Sequence, residues 1–142
     1  MKPQKTKVRQ LTKVSESKIG KIIDNNIKLE AHEYNTILLL TKYGFNIELI
    51  KPENTPKSDN PDFLMMGTIW EMKSPKKFNK STIKKRIKKA SKQASHIVFD
   101  LRKLKATREE ARLFLVELFE HNHSIRRMIL IVDENKDFDF LK

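Results

Sequence analysis

The chain has 142 residues, enough for a single ordinary core, and carries 30 Lys and Arg against 18 Asp and Glu, a formal charge of +12. Such an excess requires a polyanionic partner or a solvating role. Cysteine is absent, which excludes a disulfide framework, a zinc ribbon and a thiol nucleophile. No stretch approaches the roughly 18 apolar residues of a spanning helix, and the basic N-terminus has no apolar signal-peptide core, so the expectation is a soluble, cytoplasmic protein without a membrane partner.

In chain order, residues 1–16 are polar and aperiodic and read as a basic flexible arm, with one folded domain over 17–142. From Ser17 to Lys42 the apolar spacing is helical, in one piece or two, and Gly44 ends it as the residue beyond the cap. Phe45 to Ile50 reads as a strand, followed by a Pro-containing loop over 51–60. PDFLMMGTIWEMK predicts two short strands joined near Gly67. Residues 80–94 predict a helix with Ile83, Ile87, Ala90 and Ala94 as its buried stripe. His96 to Leu101 suits a strand buried on both faces. Thr107 to Glu120 reads as a helix with Thr107 as N-cap, and Arg127 to Val132 as a further buried strand, with Phe138 to Leu141 pairing onto it. The order α-β-β-β-α-β-α-β describes an α/β sandwich.

The charge is concentrated. Residues 72–105 hold 13 Lys and Arg against one Asp, and this block alone accounts for the net +12. A basic block of this kind is the footprint of phosphate-backbone contact, although basic runs also serve membranes and acidic proteins. At its leading edge lie Asp62, Glu71 and Lys73. In a strand, Glu71 and Lys73 share a face while Trp70 and Met72 point the other way. A two-residue turn at Met66-Gly67 or Gly67-Thr68 opposes Asp62 to Glu71 or to Lys73, so either register gathers all three charges on one surface. A three-residue loop or a bulge would turn Asp62 away. Two carboxylates side by side make an oxygen-rich site suited to Mg²⁺ or Mn²⁺, more than to Zn²⁺. An exposed cross-strand ion pair is the simpler alternative.

Pro61-Asp62, an eight-residue gap and Glu71-x-Lys73 on a hairpin after a Glu-bearing helix resemble the PD-(D/E)xK nuclease superfamily. The longer block from Pro61 to Arg102, with W-E-x-K-S-P, a basic helix bearing a Gln, and a strand ending Asp-Leu-Arg, resembles more closely the CdiA C-terminal toxin nucleases of contact-dependent growth inhibition. His32-Glu33 with Leu40 and Gly44 is similar to that group's leading helix. The resemblance implies a restriction-endonuclease-like, three-layer α/β sandwich with a mixed central sheet. It implies that Asp62 and Glu71 bind the metal, with the Met72 carbonyl a further ligand, that Lys73 is the catalytic lysine, and that Glu33 completes the site, with Glu30 as the fallback. It also implies a metal-dependent endonuclease acting on tRNA, or alternatively on DNA, and a small acidic immunity protein as partner. A non-catalytic nucleic-acid-binding protein is the competing reading.

On the basic helix, Lys84, Lys85, Lys88, Lys89 and Lys92 spread over the outer face, while Arg86 and Gln93 fall on one flank near the core boundary. Lys84, Arg86, Lys88, Lys89, Lys92 and Gln93 are the candidate nucleic-acid contacts. His32-Glu33 lacks the second His of a zinc motif, since position 36 is Thr. His121-Asn122-His123 is better explained as a helix C-terminus, and Asp133 to Asp139 as a hairpin turn than as a calcium loop.

Overall fold

The computed structural model describes residues 6–51, 62–92 and 94–142. Most of the expected 51–60 loop, Pro61 and Gln93 lie outside them. The described residues form eight strands and three α-helices. The chain divides into two compact units, Thr12–Met72 and a second made of Met1–Leu11 with Lys73–Lys142.

In the first unit, a 3-10 turn at Glu16–Lys18 and strand β2 (Ile22–Ile23) precede helix α1 (Ala31–Lys42). The sequence pattern predicts helix here, but Asn25 and Asn26 adopt φ of 51° and 61°. The Asp24 side chain accepts from the Asn26 amide at 3.0 Å, so a local turn interrupts the apolar spacing. Helix α1 ends with Tyr43 as cap and Gly44 at φ 97°, as the sequence predicts. Strands β3 (Ile47–Leu49), β4 (Asp62–Met65) and β5 (Thr68–Lys73) follow, β5 ending one residue past the unit's boundary. The order is β5-β4-β3-β2, with β2 parallel to β3 and the other pairs antiparallel. Ile47, Leu49, Phe63, Met65, Trp70 and Met72 share one face and are buried, as are Ile37, Leu39 and Leu40 of α1.

In the second unit, β1 (Lys7–Gln10) pairs antiparallel with β8 (Asp137–Leu141), which pairs antiparallel with β7 (Arg127–Ile131), and β7 lies parallel to β6 (His96–Asp100). Part of the expected arm is therefore a strand. All four β1 residues are exposed, so β1 is fixed by backbone pairing, by an Arg9–Asp139 ion pair and by buried Leu11 behind it, none of which leaves an apolar alternation to read. Helices α2 (Lys80–Ala90) and α3 (Arg108–His121) place Ile83, Ile87, Ala90, Ala111, Leu115 and Phe119 in one core with Ile97, Phe99, Met128, Leu130 and Phe140. Ala94 lies past the end of α2. Thr107 occupies the N-cap position of α3 in the left-handed region, φ 66°, and makes no side-chain capping bond, contrary to its expected role. Leu113 of the same helix is exposed. Asn122 caps the same helix at its other end, as expected.

Candidate functional site

The β4–β5 hairpin turns at Met66 (φ 54°) and Gly67 (φ 73°). Two successive positive φ values define the turn type whose twist matches two-residue hairpins, and a glycine accepts the second without strain. The resulting register opposes Asp62 to Glu71, Phe63 to Trp70 and Leu64 to Ile69. Directly opposed residues sit about 4.5–5.5 Å apart at Cα and share a face. Asp62 and Glu71 are therefore neighbours, and Lys73, two residues along β5, projects to the same side.

Burial on this face runs against residue type. Glu71 is 4% exposed and Lys73 8%, while Ile69, next on that face toward the turn, is 49% exposed. Oε2 of Glu71 is itself shielded from solvent. Asp62 is half-buried, and all three charged residues engage in polar or electrostatic contacts. Buried charge is costly unless paired or metal-bound, so a surface ion pair does not describe this trio. On the opposite face Trp70 is fully buried and donates from Nε1 to the Met65 carbonyl at 3.0 Å, which locks the hairpin's inner side. Met72 is buried between Glu71 and Lys73.

Glu33 stands at the third position of α1 in a reciprocal cap: its Oε1 accepts from the Glu30 amide at 2.9 Å, and the Glu30 side chain accepts from the Glu33 amide. Glu30 is exposed and lies 3.4 Å from His32. Among the described residues no group of three or more His, Asp or Glu gathers at metal-binding distance. Two directly opposed carboxylates are nevertheless a donor set that suits Mg²⁺ or Mn²⁺, since Mg²⁺ is commonly held by one or two carboxylates, with water and substrate phosphate completing its shell. Lys84, Lys85, Arg86, Lys88 and Lys89 of α2 are all exposed, as is Lys92 just beyond it. Arg86, which helical angle puts on a flank near the core boundary, is exposed like the lysines.

The second unit contains charge clusters that sequence reading did not single out. Arg127 forms two bonds to Asp139, 2.9 and 2.6 Å, and Arg9 a third at 3.2 Å. Arg102 binds both oxygens of Asp100. The Ser95 hydroxyl lies 2.8 Å from Nδ1 of His96. Burial and the Arg127 guanidinium push His96 below its ordinary value, and Asp139 offsets part of the shift. The Arg127–Asp139 and Arg9–Asp139 pairings join strands in space and no local motif announces them, whereas Asp100–Arg102 and Ser95–His96 are neighbours in sequence.

Three comparisons bear on the chain. The family model of the contact-dependent growth inhibition CdiA C-terminal domain matches residues 58–136, from ahead of the hairpin to the end of the turn before β8. A chain of the CdiA-CT/CdiI toxin and immunity complex from Burkholderia pseudomallei matches with a TM-score of 0.62, over 87% of this chain and 99% of its own, at 20% identity. At that identity the likeness is one of fold. No curated protein is similar to the chain in sequence.

Proposed function

The chain belongs to the contact-dependent growth inhibition CdiA C-terminal domain family, and from that premise we propose that it is a toxin domain acting as a metal-dependent endonuclease of the PD-(D/E)xK type, with tRNA as its substrate. The observation that carries the reading is the hairpin register, which opposes Asp62 to Glu71 and sets Lys73 on the same buried face.

In this proposal Asp62 and Glu71 hold Mg²⁺ or Mn²⁺, with the Met72 carbonyl as a further donor. When bound, the metal supplies a more acidic water and offsets charge on the scissile phosphate. Lys73 donates hydrogen bonds to a phosphoryl oxygen and stabilises the negative charge that develops there, in a site dry enough for a single ammonium to matter. Glu33 acts from outside the direct ligands, through water, because one of its oxygens is already committed to the cap of α1. The lysines of α2 follow the phosphate backbone. Few aromatics lie in the basic block, so recognition rests mainly on backbone and shape, which suits a structured RNA.

The solved relative is a toxin and immunity complex. By analogy, a small acidic immunity protein would neutralise this chain by covering its lysine-rich surface. Action on tRNA places its target in a cytoplasm. No helix among the described residues is long and apolar enough to cross a membrane.

The test incubates purified protein with tRNA or plasmid DNA in Mg²⁺, with and without EDTA. Cleavage of tRNA is expected, abolished by EDTA and reduced about a hundredfold to a thousandfold in Asp62→Ala and Lys73→Ala, the scale of removing a charge-stabilising group from a preorganised site. Cutting of plasmid but not tRNA would move the substrate to DNA. Nucleic-acid binding without any cutting would favour a non-catalytic module.

A further inference from the structure

Within the second unit, a cavity of about 610 Å³ opens between the segment after β5 and the segment joining β6 to α3. Its walls include Lys76, Lys77, Lys103 and Lys105, around Phe78 and Leu104. Leu104 is buried and Phe78 half-buried, its ring held edge-on to Phe114 at 6.0 Å and 87°. None of the four lysines has a carboxylate within ion-pair distance among the described residues. Glu109, in the first turn of α3, is engaged by Arg112 instead. Thr107, at the cavity's lip, holds a left-handed backbone that β-branched residues rarely adopt, a kind of strain that clusters at binding sites.

Four ammonium groups around one cavity repel one another until an anion enters. The aromatic and aliphatic floor narrows the choice of anion. Free phosphate would use the lysines and leave Phe78 idle, whereas a nucleotide uses both, its base against the ring and its phosphates on the cations. Chain connectivity adds a position: Lys76 follows Lys73 by three residues and so lies within about 11 Å of it at Cα. We propose that this cavity binds a single-stranded nucleotide of the substrate, one or two positions from the phosphate presented to Lys73. The proposal deepens the nuclease reading and takes its substrate class from it.

Binding is measured in EDTA, where cutting is absent, by fluorescence anisotropy of a labelled ribohexanucleotide on the full chain. Lys103→Gln with Lys105→Gln, and separately Lys76→Gln with Lys77→Gln, are expected to weaken binding about tenfold or more. Each pair should also reduce the salt slope by about 1.4, two single-strand phosphate contacts' worth. Phe78→Leu, which keeps an apolar floor, should lower hexanucleotide affinity about tenfold and leave inorganic polyphosphate binding unchanged. Thermal melting of each variant separates unfolding from lost contacts. Wild-type affinity in both lysine pairs overturns the proposal, as does equal loss of polyphosphate and hexanucleotide in Phe78→Leu. Poly-glutamate competing as well as polyphosphate would make the cavity a protein-docking surface and would also overturn it. If the chain cuts neither tRNA nor plasmid yet loses hexanucleotide binding in these variants, the nuclease reading fails and the nucleotide cavity stands.

Discussion

Two groups of buried charge in this chain are built on different terms. On β6, β7 and β8 each buried carboxylate meets donors that match it: Asp100 has Arg102, Asp139 has Arg127 and Arg9, and Asp137 accepts from the amides of Val132 and Asp133 at 2.7 and 3.1 Å. On the β4–β5 hairpin, Asp62 and Glu71 lie directly opposed with Lys73 on the same face, so two like charges are neighbours there. A fold that needs only stability has no reason to keep the second arrangement, because an apolar pair would pack the same face at lower cost. On the proposed reading, the difference separates charge that closes a structure from charge held ready for a ligand.

Substitution at matched positions breaks this comparison most sharply. Asp139→Asn leaves Arg127 half-satisfied and is expected to cost about 2 kcal/mol, below the usual value for a broken buried pair because Arg127 keeps some access to water. Glu71→Gln relieves repulsion with Asp62 and is expected to hold or raise stability while abolishing metal-dependent cleavage. Urea denaturation of both variants, with the tRNA assay on Glu71→Gln, makes the check. Equal destabilisation would return the hairpin charges to a structural role.

The same contrast explains what could be read in advance. The hairpin was visible because its alternation, its glycine and its charged residues all lie within twelve consecutive positions, where strand parity decides which side chains meet. Helix α1 was misjudged at its start because Asp24-Asn25-Asn26 breaks an otherwise helical spacing of isoleucines, and an Asn turn leaves the apolar pattern unmarked. Strand β1 carries no apolar pattern, since its pairing with β8 rests on backbone bonds and the Arg9–Asp139 ion pair. The Arg127–Asp139 pair and the lysine cavity join residues from separate segments, and only a fold brings them together.

Glu33 sharpens the comparison at smaller scale, since it combines a structural bond with a proposed role in cutting. Glu33→Gln keeps an acceptor for the Glu30 amide and is expected to leave the melting temperature unchanged, whereas Glu33→Ala should cost about 1 kcal/mol, the usual worth of a helix cap. Cleavage by Glu33→Gln is expected to fall about tenfold, the loss typical of a group that positions a metal site from outside. Unchanged cleavage would leave Glu33 as a cap and nothing more. A loss as large as that of Asp62→Ala would make it a direct ligand.

The smallest effect tests the closed cluster from its border. His96 lies beside Arg127 across β6 and β7, and burial together with that guanidinium holds it below its ordinary value of 6.5. The unfolded chain therefore takes up a proton near pH 6.5, while the folded chain does so only at lower pH. Between those two values the unfolded state binds more protons, so this group's contribution is complete above about pH 6.5, declines as pH falls, and levels off once the folded imidazole is protonated. Urea midpoints at pH 7.5 and 5.5 should fall further for the wild type than for His96→Gln, which cannot titrate. An equal decline in both would remove His96 from the account. A steeper decline in the variant would mean that Asp139 outweighs Arg127 at this position and that the cluster is less balanced than its bond lengths indicate.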